Sequence, residues 1–110
     1  MAYECNGATI ETDESGYLKD SSTWSIDLAL LIASKEGIDM QDEHWQIVSF
    51  MRDYFAQHQK APAMRVLTQA IRKKLGPEKA TSKHLYRLFP YGPTTQGSKI
   101  AGLPKPVGCI

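Results

Sequence analysis

Apolar and polar residues follow a two-residue rhythm over the start of the chain and switch to helical spacing after residue 20. Residues 2–19 read as a small antiparallel meander, with Asn6-Gly7 as a type I′ hairpin signal and Asp13-Glu14-Ser15-Gly16 as a second turn. Cys5 falls on the first of these strands and is expected to pack as a small hydrophobe. Ser21-Ser22-Thr23 supplies capping side chains for a helix over 24–35, where Ile26, Ala29, Leu30 and Ala33 recur at helical spacing and Leu28, Leu31 and Ile32 fill other faces. That pattern predicts a deeply buried helix. Gly37 stops it and Asp39 is placed to cap a long helix over 42–59, with Trp45, Val48, Met51 and Phe55 on one side. A third helix over 62–75 repeats Met64, Leu67, Ile71 and Leu75, and a short fourth over 83–89, capped by Ser82, turns Leu85, Leu88 and Phe89 inward and Lys83, His84 and Arg87 outward. Pro90-Tyr91-Gly92-Pro93 breaks the chain before a weakly helical piece over 94–101. The expected fold is α+β and mostly helical. It has a β-hairpin or meander over 1–20, four to five helices over 21–101, and a mobile C-terminal arm over 102–110.

A chain of 110 residues that is 42% hydrophobic makes one small domain with a core of its own. No window approaches a membrane span and the first residues lack the basic and apolar regions of a signal peptide, so a cytoplasmic, non-membrane protein is expected. Cys5 and Cys109 sit at opposite ends with no C-x-x-C pairing, which argues against a disulfide framework and a zinc site in a reducing compartment. His44 and His58 lack a second ligand at metal spacing and read as surface or helix-end histidines. No metal or cofactor is implied.

The net charge of +1 conceals a division. Residues 1–59 set Lys19, Lys35 and Arg52 against eleven acids, and residues 60–110 set ten bases against Glu78 alone, leaving −8 and +9. The basic half is either an interaction surface for nucleic acid or an acidic protein, or the partner of the acidic half within the fold.

The unusual chemistry lies in residues 102–110, where Cys109 follows Gly102, Leu103, Pro104, Lys105, Pro106, Val107 and Gly108. Two prolines stiffen such a segment toward polyproline II, and the seven steps from Gly102 to Cys109 span roughly 22 Å at about 3.1 Å each. Prenylation does not explain the cysteine, because it stands second from the last residue and not fourth. A thiol carrier is one reading: Lys105 and the basic half raise the thiolate fraction, the Ile110 carboxylate opposes it, and the thiolate attacks the outer sulfur of a donor persulfide. A helix-turn-helix DNA-binding or regulatory module built on 63–75 and 83–89, with Lys83, His84 and Arg87 at recognition positions, is a second reading. Its connecting turn is longer than usual, and it leaves Cys109 without a role. A protein–protein adaptor is a third, equally silent on Cys109.

Glu43-His44-Trp45, the run Ala61-Pro62-Ala63-Met64-Arg65-Val66-Leu67, the run from Tyr86 to Pro93, and above all the run from Ala101 to Ile110 resemble the DsrC/TusE family almost end to end. The resemblance implies that Cys109 carries sulfur as a persulfide. One branch of the family, tied to dissimilatory sulfite reductase, has a second cysteine eleven residues earlier and forms an intramolecular disulfide; this chain has Ser98 there. It is therefore similar to the single-cysteine, sulfur-relay branch. That implies sulfur accepted from a TusBCD-like complex and delivered to an MnmA-like tRNA thiolase for 2-thiouridine at the wobble position. Whether the tRNA itself is touched stays open. Arg65, Lys83, Arg87 and Lys105 are the candidate contacts to partners or to the thiolate.

Overall fold

A computed structural model describes residues 1–106 of the chain; residues 107–110, and with them Cys109, lie outside the described residues. The N-terminal strands β1 (Ala2–Cys5) and β2 (Ala8–Glu11) pair antiparallel, with Cys5 opposite Ala8 around the predicted Asn6-Gly7 turn. Asn6 and Gly7 both have positive φ, as a type I′ turn requires. The expected meander closes with a single Thr12–Leu18 bridge and no third strand among the described residues. Asp13 organises that second turn, accepting from the backbone N–H groups of Ser15 and Tyr17.

Five helices follow among the described residues: α1 (Ile26–Lys35), α2 (Asp42–His58), α3 (Met64–Leu75), α4 (Ser82–Leu88) and α5 (Pro93–Ile100). Helix α1 starts two residues later than its pattern suggests. Residues 21–23 form a separate 3₁₀ turn capped by Asp20, and Ser25 is the residue that caps α1 through the N–H of Leu28. Trp24 is thereby left extended and free to reach another part of the fold. Helix α1 is also buried on one face only, through Leu28, Ala29, Ile32 and Ala33, while Ile26 is 60% exposed and Leu30 46%. Its many apolar residues had suggested a deeply buried helix.

Helix α2 is capped by Gln41, not Asp39, in a reciprocal arrangement with His44. The Gln41 N–H donates to His44 Nδ1 (2.9 Å), so the ring proton sits on Nε2 and donates to the carbonyl of Leu88 (2.8 Å). His44 also stands edge-on to Phe89, with ring centroids 5.1 Å apart. It is a buried tie between α2 and the end of α4, not a surface group. The α2 face turned to the core is His44, Ile47, Val48 and Met51, with Trp45 and Phe55 only half-buried.

The largest departure is α5. Gly97 in its middle and the polar run 94–99 give it weak intrinsic propensity, yet it packs on α1, α2, α3 and α4 and buries Pro93, Gln96, Gly97, Ser98 and Ile100. Gly97 is what allows this. A Cβ there would lie 2.9 Å from Met51 Sδ and Cε, so the missing side chain sets how closely α5 meets α2.

The sequence places the start of the arm at Gly102. Gly102 and Leu103 are fully packed, Leu103 being 0% exposed and part of the core, and exposed chain begins only at Pro104.

Candidate functional site

The place where the chain leaves the domain is built from the C-terminal end of α5. A helix ends with unsatisfied carbonyls, and here every one of them is met. The N–H of Leu103 donates to the Ser98 carbonyl (2.9 Å) and that of Gly102 to Lys99 (3.2 Å), with Gly102 at φ +74. This is a Schellman ending, in which glycine takes the left-handed position and the following apolar residue packs back onto the helix. The next two carbonyls are met from far away in sequence. Trp24 Nε1 donates to Ile100 (2.8 Å) and Arg52 Nη1 to Ala101 (2.8 Å).

Those two side chains also hold each other. The Arg52 guanidinium lies 4.3 Å from the centre of the Trp24 ring, a cation–π contact, and its Nη2 reaches the Ser21 carbonyl at 3.5 Å. A cation at the C-terminal end of α5 is favoured by the helix dipole as well. Burial lowers the Arg52 pKa from its ordinary value, but a guanidinium stays charged at any physiological pH. Trp24 in turn lies against Gly102, where any Cβ would meet its Cβ and Cγ at 2.8 Å. The base of the arm is thus clamped by Trp24, Arg52 and Gly102, of which the sequence had singled out only Gly102, as the start of the arm. Gly102 followed by an apolar residue was a readable helix-stop signal. Trp24 and Arg52 had no local signature, because they act 76 and 49 residues away.

Beside the clamp an open groove of about 350 Å³ is lined by Trp24, Ile26, Trp45, Val48, Arg52 and Asp53, among others. Its wall is mostly apolar, with one cation and one anion. Directly under the exit, Ser98 is fully buried and its hydroxyl has no partner among the described residues. The position eleven residues before Cys109 therefore lies inside the body of the domain.

Of the predicted site residues, Lys105 lies exposed just past the clamp, and Arg65 on α3 and Lys83 and Arg87 on α4 are exposed too. Lys83 and Arg87, four apart, share one face of α4. None of the four makes a hydrogen bond or ion pair to another, and Cys109 is outside the described residues. His84, expected to point outward with them, instead turns to Glu43, which also binds Lys79 (2.9 Å). These two partners hold the Glu43 carboxyl below its ordinary pKa, the His84 hydrogen bond most of all. One of the three side chains assigned to DNA recognition is therefore used to fasten α4 to α2. Cys5 is a half-buried free thiol against the core. Among the described residues no three His, Cys, Asp or Glu side chains cluster to hold a metal ion, and no helix is long and apolar enough to cross a membrane.

The DsrC-like protein family matches residues 4–110 of this chain. The sulfurtransferase TusE of Escherichia coli K12 is 55% identical over 104 residues, covering 94% of this chain and 95% of that one, and TusE of Salmonella typhimurium is 51% identical over the same shares. The solution structure of Allochromatium vinosum DsrC superposes with a TM-score of 0.90 at 47% identity, over 99% of this chain and 97% of that one. The oxidized gamma subunit of the dissimilatory sulfite reductase (DsrC) from Archaeoglobus fulgidus superposes at 0.91 with 36% identity, over the full length of both.

Proposed function

This chain belongs to the DsrC-like protein family, and from that premise we propose that Cys109 is its sulfur-carrying residue. Membership, together with the sulfurtransferase relatives, makes the protein a sulfurtransferase of a sulfur relay. The family match spans both cysteines, and the observation that favours Cys109 is that the other one, Cys5, is half-buried in β1 against the core.

The chemistry is an exchange without net oxidation. The Cys109 thiolate attacks the outer sulfur of a donor persulfide, the donor's S–S bond breaks, and the donor cysteine leaves as a thiolate. An acceptor thiolate then repeats the attack on the outer sulfur now held by Cys109, which leaves as a thiolate in its turn. The donor is a TusBCD-like complex and the acceptor an MnmA-like tRNA thiolase that forms 2-thiouridine at the wobble position. Exposed Lys105, with Arg65, Lys83 and Arg87, supplies the positive charge that meets these partners. A reducing cytoplasm keeps the thiol free for the exchange. The clamp at Trp24, Arg52 and Gly102 supports this reading, since it fixes where the chain leaves the domain after Leu103.

Intact mass after incubation with a cysteine desulfurase and the donor complex tests the proposal. One added sulfur, about 32 Da, is expected on the native chain and on Cys5→Ala, and none on Cys109→Ser. Loading of Cys109→Ser, or failure of Cys5→Ala to load, rejects Cys109 as the carrier.

A further inference from the structure

We infer that the outer face shared by α2 and α3 is a docking surface for single-stranded RNA. On α2, Phe50, Tyr54 and His58 recur every four residues and form a ladder of rings, with centroids 5.9 Å and then 4.3 Å apart. Phe50 and Tyr54 are half-buried and His58 is exposed, so the ladder is accessible from outside. Across from it α3 supplies Val66, Gln69, Ala70 and Lys73, and together with Phe50 and Tyr54 these line an open groove of about 330 Å³. A smaller apolar hollow continues past Phe50 to Lys74.

The flank of the groove is basic. Gln69 is four residues after Arg65 and three before Arg72, so both arginines adjoin it on the exposed side of α3. Arg65, Arg72, Lys73 and Lys74 are all exposed, and none forms an ion pair among the described residues. Asp53, the acid that α2 carries beyond its first turn, lines the other groove, beside Arg52.

Aromatic faces beside a row of unpaired cations are what an unstacked polynucleotide uses: bases stack on the rings while phosphates follow the charge. An acidic protein would need the cations but not the ring ladder. Stacked duplex bases could not reach the rings. Apart from Arg65, the surface uses no residue of the sulfur-relay reading, and the variants below leave Arg65 in place, so the two readings are tested separately.

The test is binding of a labelled single-stranded oligouridine RNA to the full chain, with the matching duplex RNA as a second probe. Single-stranded binding is expected to exceed duplex binding. Tyr54→Ala should weaken it by roughly 5- to 150-fold while Tyr54→Phe, which keeps the ring, retains it. Arg72→Glu with Lys73→Glu should weaken it further and lower the salt slope by about 0.7 for each phosphate that is no longer neutralised. Thermal unfolding confirms that each variant folds, and sulfur loading of Cys109 is measured on the same proteins. Absence of single-stranded binding, equal binding by Tyr54→Ala, or an effect of the variants on docking to a protein partner alone would each overturn the inference. Unchanged sulfur loading in the variants would leave the relay reading intact.

Discussion

Trp24 lies so close over Gly102 that residue 102 has no room for a side chain: a Cβ would meet the indole Cβ and Cγ at 2.8 Å. The same indole donates its N–H to the Ile100 carbonyl, so one side chain both caps α5 and bars any larger residue from the turn that follows. Gly102 also holds φ at +74, a conformation costly for any L side chain. Gly102→Ala is therefore expected to destabilise the fold by at least about 2 kcal/mol, read as a fall in Tm of roughly 8 °C or more. Thermal unfolding within a degree or two of the native chain would show that the Trp24–Gly102 contact constrains nothing.

Leu103 is the last core residue, and the cost of removing it separates a buried anchor from a dangling tail. Leu103→Ala should destabilise by about 2–5 kcal/mol, the ordinary range for a fully buried leucine. Pro104→Ala, one residue on and exposed, should stay within about 0.5 kcal/mol. Chemical denaturation of both variants checks this, and equal stability of the two would return Leu103 to the arm.

The sequence made the helices legible because they carry strong periodicity, and it made the hairpin legible through Asn6-Gly7. It misjudged the features that depend on contacts distant along the chain. Helix α5 looked weak since Gly97 and its polar residues lower propensity, but propensity counts for little once Met51 fills the space beside Gly97. His44 looked exposed because nothing local announces that the Leu88 carbonyl will be waiting for its Nε2. Cys109 was conspicuous from its neighbours alone, whereas the Trp24–Arg52 clamp is assembled from residues 28 apart that share no motif, so only the fold reveals it.

Glu43 gives a pH dependence with a definite sign. Its partners His84 and Lys79 lower its folded pKa below the unfolded value, about 4.3 for a free glutamate. The resulting stability is complete above that value and is lost as pH falls through the lower, folded pKa. Native protein should therefore exceed Glu43→Gln in stability near neutral pH by about 1 kcal/mol or less, because the pair is partly solvated. The gap should close on acidification. Urea unfolding of both proteins along a pH series measures it, and a gap that widens toward acid would mean the pairing is not what holds Glu43.

The clamp alters how the reach of the arm is to be tested. With Leu103 fixed in the core, Cys109 is six residues further along the chain, a distance of roughly 19 Å if that segment were fully extended. Deleting residues 104–106 removes about 9 Å of this and leaves the anchor in place, whereas a deletion that includes Leu103 would unfold the root and confuse length with stability. If the thiol has to enter a donor's pocket, the shortened chain should keep its Tm and its reactivity toward a small alkylating reagent, yet take sulfur from a protein donor at least tenfold more slowly. Replacing Pro104 and Pro106 by glycine keeps the length and removes the stiffness, so transfer should slow less, through the added entropy of ordering the segment. Rates for both variants against one persulfidated donor decide the matter. Equal rates for the deletion and the native chain would mean that sulfur reaches Cys109 at the domain surface, with no requirement for reach.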